Sequence, residues 1–149
     1  MTKHEYIASI CKIVRFKSDC FKRKVGAVFV NENFEILATG YNAPPTKFPH
    51  CDVELTGNSF PGTCGNPCTR NIHAEMNAIA QAAKRGTALE NSILFCTYLP
   101  CRDCSRMLVN IGVWKVYYMI GNEDQGKEVL EKGNIQIIEW DKSWKNNEV

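Results

Sequence analysis

The chain has 149 residues, of which 44% are hydrophobic and 23% are charged, and its formal net charge at pH 7 is +2. This length suits one domain of the commonest size, so we expect a single domain over residues 1–149, and the composition is that of a folded globular protein. The small net charge argues against a stable nucleic-acid complex, and no apolar stretch approaches the length of a membrane span.

The first residues predict an amphipathic helix rather than a secretion signal. Residues 1–6 lack the basic start and apolar run of a signal peptide. We therefore expect a cytoplasmic protein whose eight cysteines are reduced. Apolar residues then recur at helical spacing, which predicts a helix over about residues 2–17 with Cys11 in the core.

Two β-rich runs follow, at residues 25–30 and 34–39. The polar residues Asn31-Glu32-Asn33 separate them, which predicts a hairpin and a sheet that begins antiparallel. Residues 41–72 then show no clear periodicity. Because long irregular segments inside a compact domain are uncommon and usually functional, this loop is a candidate for part of a site.

Helices and strands alternate in the second half of the chain. The predicted elements are a helix at 71–84, a strand at 92–97, a helix at 101–110, a strand at 113–119, a helix at about 123–132 and a strand at 135–138. Strands that alternate with helices are usually parallel neighbours joined by crossovers. We therefore expect a mixed sheet between helices.

His73 and Glu75 form a histidine-x-glutamate motif at the start of the helix predicted over residues 71–84. Side chains two apart on a helix point roughly 200° apart around its axis. The histidine can therefore hold a metal ion while the glutamate reaches toward what the metal holds. By itself, such a motif is common by chance.

Cys101 and Cys104 form a C-x-x-C motif directly after Pro100, a residue suited to opening a helix. A helix N-terminus lowers the pKa of both thiols and favours the thiolate that binds metal. With His73 they supply three zinc ligands, which leaves the fourth tetrahedral position open for water, as in catalytic zinc sites. Taken alone, the C-x-x-C motif also fits a redox pair or half of a structural zinc site.

Further cysteines lie in or near the loop at residues 41–72, and they predict a second, structural zinc site. The candidate ligands are Cys20, Cys51, Cys64 and Cys68. Four thiolates make a closed site, and zinc contributes folding free energy where apolar residues are few. His50 is the reserve ligand. The competing interpretation is that these cysteines are reduced, some of them packed and some lying on the loop. We expect Cys96, within its strand, to belong to the core.

The chain resembles the deoxycytidylate (dCMP) deaminases of the cytidine deaminase superfamily over about residues 5–138. The segments that carry the resemblance are Val25-Gly26-Ala27-Val28, Gly40-Tyr41-Asn42-Ala43-Pro44-Pro45, Pro49-His50-Cys51-Asp52, His73-Ala74-Glu75-Met76-Asn77-Ala78-Ile79 and Pro100-Cys101-Arg102-Asp103-Cys104. The H-x-E and P-C-x-x-C motifs identify the superfamily. The G-Y-N-x-P-P segment and a cysteine-rich insertion at about 43–70 indicate the dCMP branch. The resemblance implies an α/β fold, a single-domain α/β/α sandwich with a mixed five-stranded sheet.

The resemblance also implies an activity, the zinc-dependent hydrolytic deamination of dCMP to dUMP and ammonia, which supplies dUMP for thymidylate synthesis. It further implies activation by dCTP, inhibition by dTTP, Mg²⁺ bound with the regulatory triphosphate, and a homohexamer. Two other enzymes stay open: a deaminase of free cytidine or deoxycytidine, and a deaminase of a flipped base in tRNA or single-stranded nucleic acid. A zinc-stabilised binding module is the third interpretation, but a purely structural site does not require Glu75.

By the same resemblance, His73, Cys101 and Cys104 hold the catalytic zinc. Glu75 takes a proton from the attacking water, passes it to N3 of the ring and later protonates the departing amine. The backbone N–H of Ala74 is expected to meet the pyrimidine O2.

Other contacts with the substrate are expected from Asn42 and from a basic cluster. Asn42 is expected to meet the sugar 3′-hydroxyl. Lys24, in the cluster Lys22-Arg23-Lys24, is the first candidate for the 5′-phosphate, with Arg70 and Arg102 as others.

The sequence departs from the superfamily pattern at two places. Leu99 stands where a glutamate often precedes the Pro-Cys pair. The segment at residues 119–124 is compact and lacks a tyrosine that often helps to close the site. Tyr117 and Tyr118 are the candidates to replace that tyrosine.

Overall fold

The structure is a computed structural model that describes residues 1–51, 68–121 and 124–140. The elements in chain order are α1 (Lys3–Arg15), β1 (Gly26–Val30), β2 (Ile36–Tyr41), α2 (Ala74–Arg85), β3 (Ile93–Tyr98), α3 (Arg102–Ile111), β4 (Lys115–Ile120), α4 (Asp124–Lys132) and β5 (Gln136–Glu139). Every predicted helix and strand is present, with ends that differ by at most three residues.

The five strands form one mixed sheet in the order β2-β1-β3-β4-β5. β1 pairs antiparallel with both β2 and β3, whereas β3 with β4 and β4 with β5 are parallel. The antiparallel start and the parallel second half were both predicted. The crossover helices α3 and α4 connect the parallel strands, as parallel pairing requires.

Helices cover both faces of the sheet, which confirms the predicted sandwich. On one face, the apolar side of α1, including Ile7 and Cys11, packs on Val28, Phe95 and their neighbours. On the other face, the core combines residues of α2, α3 and α4 with alternate residues of the same strands. Cys11 and Cys96 are buried, as predicted.

The first helix begins at a capping box. The Thr2 hydroxyl accepts from the Glu5 N–H at 3.1 Å, and the Glu5 carboxylate accepts from the Thr2 N–H at 2.6 Å. These bonds satisfy N–H groups that otherwise lack partners at a helix start. Among the helices of the described residues, none is long and apolar enough to cross a bilayer.

The hairpin between β1 and β2 explains why β2 starts two residues later than predicted. The side-chain oxygen of Asn31 accepts from the N–H groups of Asn33 and Glu35 at 2.9 and 3.0 Å. Phe34 has a φ of 66°, in the left-handed region. The turn therefore occupies residues 31–35. Pairing begins at Ile36 opposite Val30, and its register shifts before Ala38 pairs with Phe29.

Candidate active site

The side chains of His73, Cys101 and Cys104 lie close together at the N-terminal ends of α2 and α3. The Nδ1 atom of His73 lies 3.4 Å from the Sγ atom of each cysteine. The three ligand atoms lie within 4.8 Å of one another, and within the described residues this is the one cluster that could hold a metal ion.

Two of these residues lie just outside the helices in which we predicted them. His73 is the N-cap of α2 and Cys101 is the N-cap of α3, both with extended backbone. The argument from helical side-chain angles therefore does not apply to His73 and Glu75. Because an N-cap residue leaves the helix axis, its side chain can turn toward the neighbouring helix start, and the two caps face each other.

The ligand geometry fits zinc. With Zn–N near 2.05 Å and Zn–S near 2.3 Å, a tetrahedral ion places nitrogen and sulfur about 3.6 Å apart. The observed 3.4 Å distances are close to this value. One imidazole and two thiols are a donor set that zinc favours, and three ligands leave one position open. These residues therefore suit a catalytic zinc ion.

Protons are shared unevenly within this cluster. Hydrogen bonding from the Cys104 thiol lowers the pKa of Cys101 to about 4. The hydrogen bond with Cys101 in turn raises the pKa of His73 to about 8 and that of Cys104 far above its usual value. A metal ion that binds here must therefore displace the protons of His73 and Cys104.

Glu75 lies beside the cluster and is 4% exposed. Burial raises the pKa of its carboxyl group, and its hydrogen bond with Cys104 opposes part of that rise. A buried carboxyl group with a raised pKa holds and releases a proton at higher pH than an exposed one, a property that general acid–base catalysts share.

The cluster opens into a cleft of about 250 Å³. The residues that line it are Cys20, Lys22, Arg23, Val25, Asn42, Cys68, Asn71, His73, Ala74, Glu75, Tyr98, Leu99 and Cys101. They come from the α1–β1 connection, the end of β2, the start of α2 and the end of β3. The cleft therefore brings together the candidate catalytic residues with Asn42, Ala74 and two of the basic residues.

Asn42 is 9% exposed and joins two parts of the backbone. Its Oδ1 atom accepts from the Val25 N–H at 2.8 Å, and its Nδ2 group donates to the Arg23 carbonyl at 2.8 Å. The Ser18 hydroxyl donates to the Asn42 carbonyl at 2.6 Å. Asn42 thus fixes the backbone of Arg23 and Val25, the two neighbours of Lys24, and it also lines the cleft.

The basic candidates take up different positions. Lys22 and Arg23 line the cleft, whereas Lys24 is exposed and is absent from its lining. Arg70 is buried and donates to the Pro49 carbonyl at 3.3 Å. The Arg102 side chain is 59% exposed and lies 3.6 Å from the Asp103 carboxylate. Lys22 and Arg23 are therefore the cations placed to meet a bound anion.

Three of the four candidate ligands of the second zinc lie within the described residues. Cys20 and Cys51 are buried, Cys68 is half-buried, and Cys64 lies outside the described residues. Burial raises the pKa of the Cys51 thiol. The sulfur atoms of the three described cysteines do not all lie within 4.8 Å of one another, so they do not form a ligand cluster like that of His73, Cys101 and Cys104. The Cys51 thiol donates to Asn71 Oδ1 at 3.3 Å.

The reserve ligand His50 has another contact. Its Nδ1 atom lies 2.7 Å from the Asp19 carboxylate, and its side chain is 85% exposed. His50 therefore faces Asp19 and solvent.

The tyrosine of the cleft is Tyr98, so the expectation for Tyr117 and Tyr118 was wrong. Tyr117 packs in the core beneath α1, where its hydroxyl lies 3.1 Å from His4 Nε2, and Tyr118 packs in the opposite core. Side chains alternate between the faces of a strand, so neither points along the sheet edge toward the cleft. Sequence reasoning also missed Asn71, for which no motif gave a signal.

An open three-ligand metal site beside a buried glutamate, at the starts of two helices on a mixed sheet, defines a metal-dependent hydrolytic enzyme class. The sequence model of the cytidine and deoxycytidylate deaminase zinc-binding region matches residues 1–120. The chain belongs to this family.

Individual relatives agree with this assignment. The chain is 33% identical over 140 residues to the deoxycytidylate deaminase of Saccharomyces cerevisiae, covering 89% of this chain but 43% of that one. It is 28% identical over 182 residues to the deoxycytidylate deaminase of Enterobacteria phage T2, covering 97% and 96% of the two chains. The chain thus spans less than half of the yeast relative and nearly all of the phage one.

A solved structure has the same fold. The crystal structure of dCMP deaminase from the cyanophage S-TIM5 in complex with dCMP and dUMP matches with a TM-score of 0.77 and 33% sequence identity. The match covers 92% of this chain and 96% of that chain. The mixed five-stranded sheet with its helices is therefore the fold of this family.

Proposed function

We propose that the protein catalyses the zinc-dependent hydrolytic deamination of dCMP to dUMP and ammonia. The observation that carries the proposal is the convergence of His73, Cys101 and Cys104 beside the buried Glu75, in a cleft lined by cations. The names of the yeast, phage T2 and cyanophage relatives support dCMP as the substrate.

Glu75 performs the proton transfers in this proposal. Zinc held by His73, Cys101 and Cys104 supplies a Lewis acid that brings the pKa of water close to neutral. Glu75 accepts a proton from the attacking water and delivers it to N3 of the pyrimidine. A new C4–O bond forms. Glu75 then takes the proton of the new C4 hydroxyl and delivers it to the amine, so that the C4–N bond breaks, ammonia leaves and C4 keeps the oxygen as a carbonyl.

The cleft residues hold the nucleotide in a fixed orientation. The Ala74 N–H donates to the pyrimidine O2, and Asn42 meets the sugar 3′-hydroxyl with the N–H that its backbone contacts leave over. Lys22 and Arg23, which line the cleft, bind the 5′-phosphate, and Lys24, which lies outside the lining, adds positive charge nearby. Orientation of this kind supplies a large part of the rate enhancement of an enzyme.

The test is ammonia release by zinc-loaded protein from dCMP, deoxycytidine, cytidine and a single-stranded oligonucleotide, each with and without dCTP. We expect kcat/KM to be highest for dCMP. Absence of dCMP turnover, or faster turnover of the oligonucleotide, would overturn the proposal.

The proposal includes a second, structural zinc ion held by Cys20, Cys51, Cys64 and Cys68. The number of cysteines in and near the irregular segment at residues 41–72 supports it. Elemental analysis should find two zinc ions per chain, and one when Cys64→Ser and Cys68→Ser are combined. The core variant Cys96→Ala is the matched control and should keep two. One zinc ion in the unmodified protein would remove the second site.

Family membership supplies the remaining parts of the proposal. They are a single domain over residues 1–149 with a cysteine-rich insertion at about 43–70, a homohexamer, activation by dCTP with Mg²⁺, inhibition by dTTP, and a cytoplasmic role in supplying dUMP for thymidylate synthesis. The assay with dCTP tests the activation, and mass measurement in solution tests the hexamer.

A further inference from the structure

Arg23 and Tyr98 form a stacked pair at the wall of the cleft. The guanidinium carbon of Arg23 lies 3.8 Å from the centroid of the Tyr98 ring, and both residues line the cleft. Tyr98 ends β3, three residues before the metal ligand Cys101. The ring on which Arg23 stacks therefore belongs to the chain segment that leads to the metal site.

The backbone that carries Arg23 is fixed independently of its side chain. Asn42 accepts from the N–H of Val25 and donates to the carbonyl of Arg23, each at 2.8 Å. Asn42 is itself held through its carbonyl by the hydroxyl of the buried Ser18. The main chain next to Arg23 can therefore move little without breaking these bonds.

The Tyr98 ring also lies close to Gly121. A Cβ atom at Gly121 would lie 3.2 Å from Cε1 of Tyr98, closer than atoms normally approach, and Gly121 has a φ of 116° that favours glycine. The absence of a side chain at Gly121 thus leaves the space that the ring fills. A side chain at residue 121 would therefore press on the ring against which the guanidinium stacks.

The charge of Arg23 has no carboxylate to neutralise it: across residues 1–51, 68–121 and 124–140, no ion pair includes this residue. Stacking occupies a face of the guanidinium and leaves its N–H edges available, and these edges match phosphate oxygens in a bidentate geometry. A lysine in this place would lack both properties.

We propose that Tyr98 is a specificity-determining positioning residue, which holds Arg23 for the 5′-phosphate and so makes the cleft prefer nucleoside monophosphates over neutral nucleosides. This inference rests on the proposed function. Tyr98 acts through Arg23, so its loss weakens phosphate recognition and leaves the chemistry at C4 untouched.

The test compares Tyr98→Leu, Tyr98→Phe and Arg23→Ala in the zinc-loaded protein, with dCMP and deoxycytidine as substrates. Tyr98→Leu keeps most of the bulk and removes the aromatic face. Because a cation–π contact contributes modestly, KM for dCMP should rise about two- to thirtyfold, and this rise should exceed any change in kcat for dCMP or in kcat/KM for deoxycytidine. Tyr98→Phe keeps the face and should retain the preference for dCMP. Tyr6→Leu, the same change at an exposed tyrosine of α1, is the matched control.

A double mutant separates positioning from a general structural effect. If Tyr98 acts through Arg23, adding Tyr98→Leu to Arg23→Ala should cause no further rise in KM. Multiplicative effects of the two changes, or an equal loss of kcat/KM for both substrates in Tyr98→Leu, would overturn the inference.

Direct binding distinguishes this inference from the proposed function. Calorimetric titration with dUMP and with deoxyuridine needs no turnover, and Tyr98→Leu should weaken only the binding of dUMP. If the wild-type protein does not deaminate dCMP but binds dUMP better than deoxyuridine, and Tyr98→Leu removes that preference, the proposed function fails and this inference stands. If dCMP is deaminated but Tyr98→Leu binds dUMP as tightly as wild type, the inference alone fails.

Discussion

At the scale of single residues, the chemistry depends on one carboxyl group held out of water. Glu75 is 4% exposed and lies in the first turn of α2, next to the metal ligand cap. Burial of a carboxylate is costly unless the group has a task or a partner, since its charged form loses hydration. The raised pKa of Glu75 reflects that cost, and the proton transfers that we propose for Glu75 are a task that would account for the burial.

Replacement of Glu75 by glutamine should separate chemistry from metal binding. Glutamine keeps the shape but cannot accept the proton, so kcat should fall about 10²- to 10⁴-fold. Zinc content should stay at the wild-type value, because the carboxylate is not one of the three ligands. Ammonia release and elemental analysis measure the two quantities.

The matched control is Glu131→Gln, the same change at an exposed position on α4. It should leave both activity and zinc content unchanged. Loss of zinc in Glu75→Gln would show that the assigned roles of ligand and proton carrier are wrong.

Cys11 predicts how stability changes in alkaline solution. Its thiol is fully buried and donates to the carbonyls of Gly26 and Phe95 at 3.3 Å, and burial raises its pKa. The folded protein therefore keeps this proton while the unfolded chain loses it above about pH 8.5. The free energy of unfolding should fall above that pH, by about 1.4 kcal/mol per pH unit for this thiol.

Urea unfolding of reduced protein between pH 7.5 and 10.5 measures this effect. Cys11→Ala should be less stable at pH 7.5, because it leaves a cavity, but should lose stability less steeply as the pH rises. Equal slopes for the two proteins would contradict the assignment. Other titrating groups act on both slopes alike, so they cancel in the comparison.

The sequence was sufficient to identify candidate site residues whose shared chemistry requires a fixed spacing along the chain. His73, Cys101 and Cys104 could be predicted because metal ligands at two helix starts follow a short motif, and Glu75 because it completes that motif. Tyr98 and Asn71 could not be, since an aromatic residue at a strand end or a loop asparagine has no spacing that distinguishes a cleft position from a packed one. Their role depends on which chain segments meet in space.

At the scale of elements, the site depends on how closely α2 approaches the sheet. A Cβ atom at Gly40 of β2 would collide with the carbonyl of Ala74 and the amide nitrogen of Ala78 on α2. Asn77, on the same helix, donates to the Tyr41 carbonyl at 2.8 Å. The helix that carries Glu75 is thus set against β2 at the distance that a glycine allows.

Gly40→Ala should displace α2 and lower both stability and activity. Overpacking of this kind costs about 1–3 kcal/mol, and backbone atoms cannot move aside as a side chain can. The shift also moves Glu75, so kcat should fall roughly 10²-fold, a loss typical of a misplaced catalytic group. Denaturant unfolding and steady-state kinetics measure the two effects.

Gly86→Ala provides the comparison at the other end of α2. A Cβ atom there would meet nothing within 4 Å, but the φ of 67° is unfavourable for alanine. This variant should lose about 1 kcal/mol of stability and keep the wild-type kcat. If Gly40→Ala matched it in both measurements, the close approach would not control the site.

The order and type of the elements followed from periodicity, but their ends did not. α2 begins at Ala74 rather than residue 71, because His73 adopts the extended backbone of a cap and turns its ring toward the thiols of α3. A cap of this kind is formed by a contact with another element. The strand β2 shifted for a local reason, the Asn31 turn, which propensity alone did not show.

At the scale of the whole molecule, the metal site joins parts that are distant in the sequence. The sheet order puts β1 in contact with both β2 and β3, so that the connections before β1, after β2 and after β3 meet at one edge. The cleft forms where these connections converge. His73 and Cys101, which are 28 residues apart, are the N-caps of α2 and α3, and their side chains belong to the same ligand cluster.

Removal of zinc should therefore destabilise the folded protein as well as inactivate it. Zinc that is present at about 100 times its dissociation constant adds roughly 2.7 kcal/mol to the free energy of unfolding, which corresponds to a Tm change of about 5–10 °C. A chelator should lower the Tm by at least this amount, and added zinc should restore it. In Cys101→Ala, which lacks a ligand of the catalytic site, the remaining effect of the chelator should report the second site alone. A wild-type Tm that does not respond to the chelator would contradict a zinc ion that links α2 to α3.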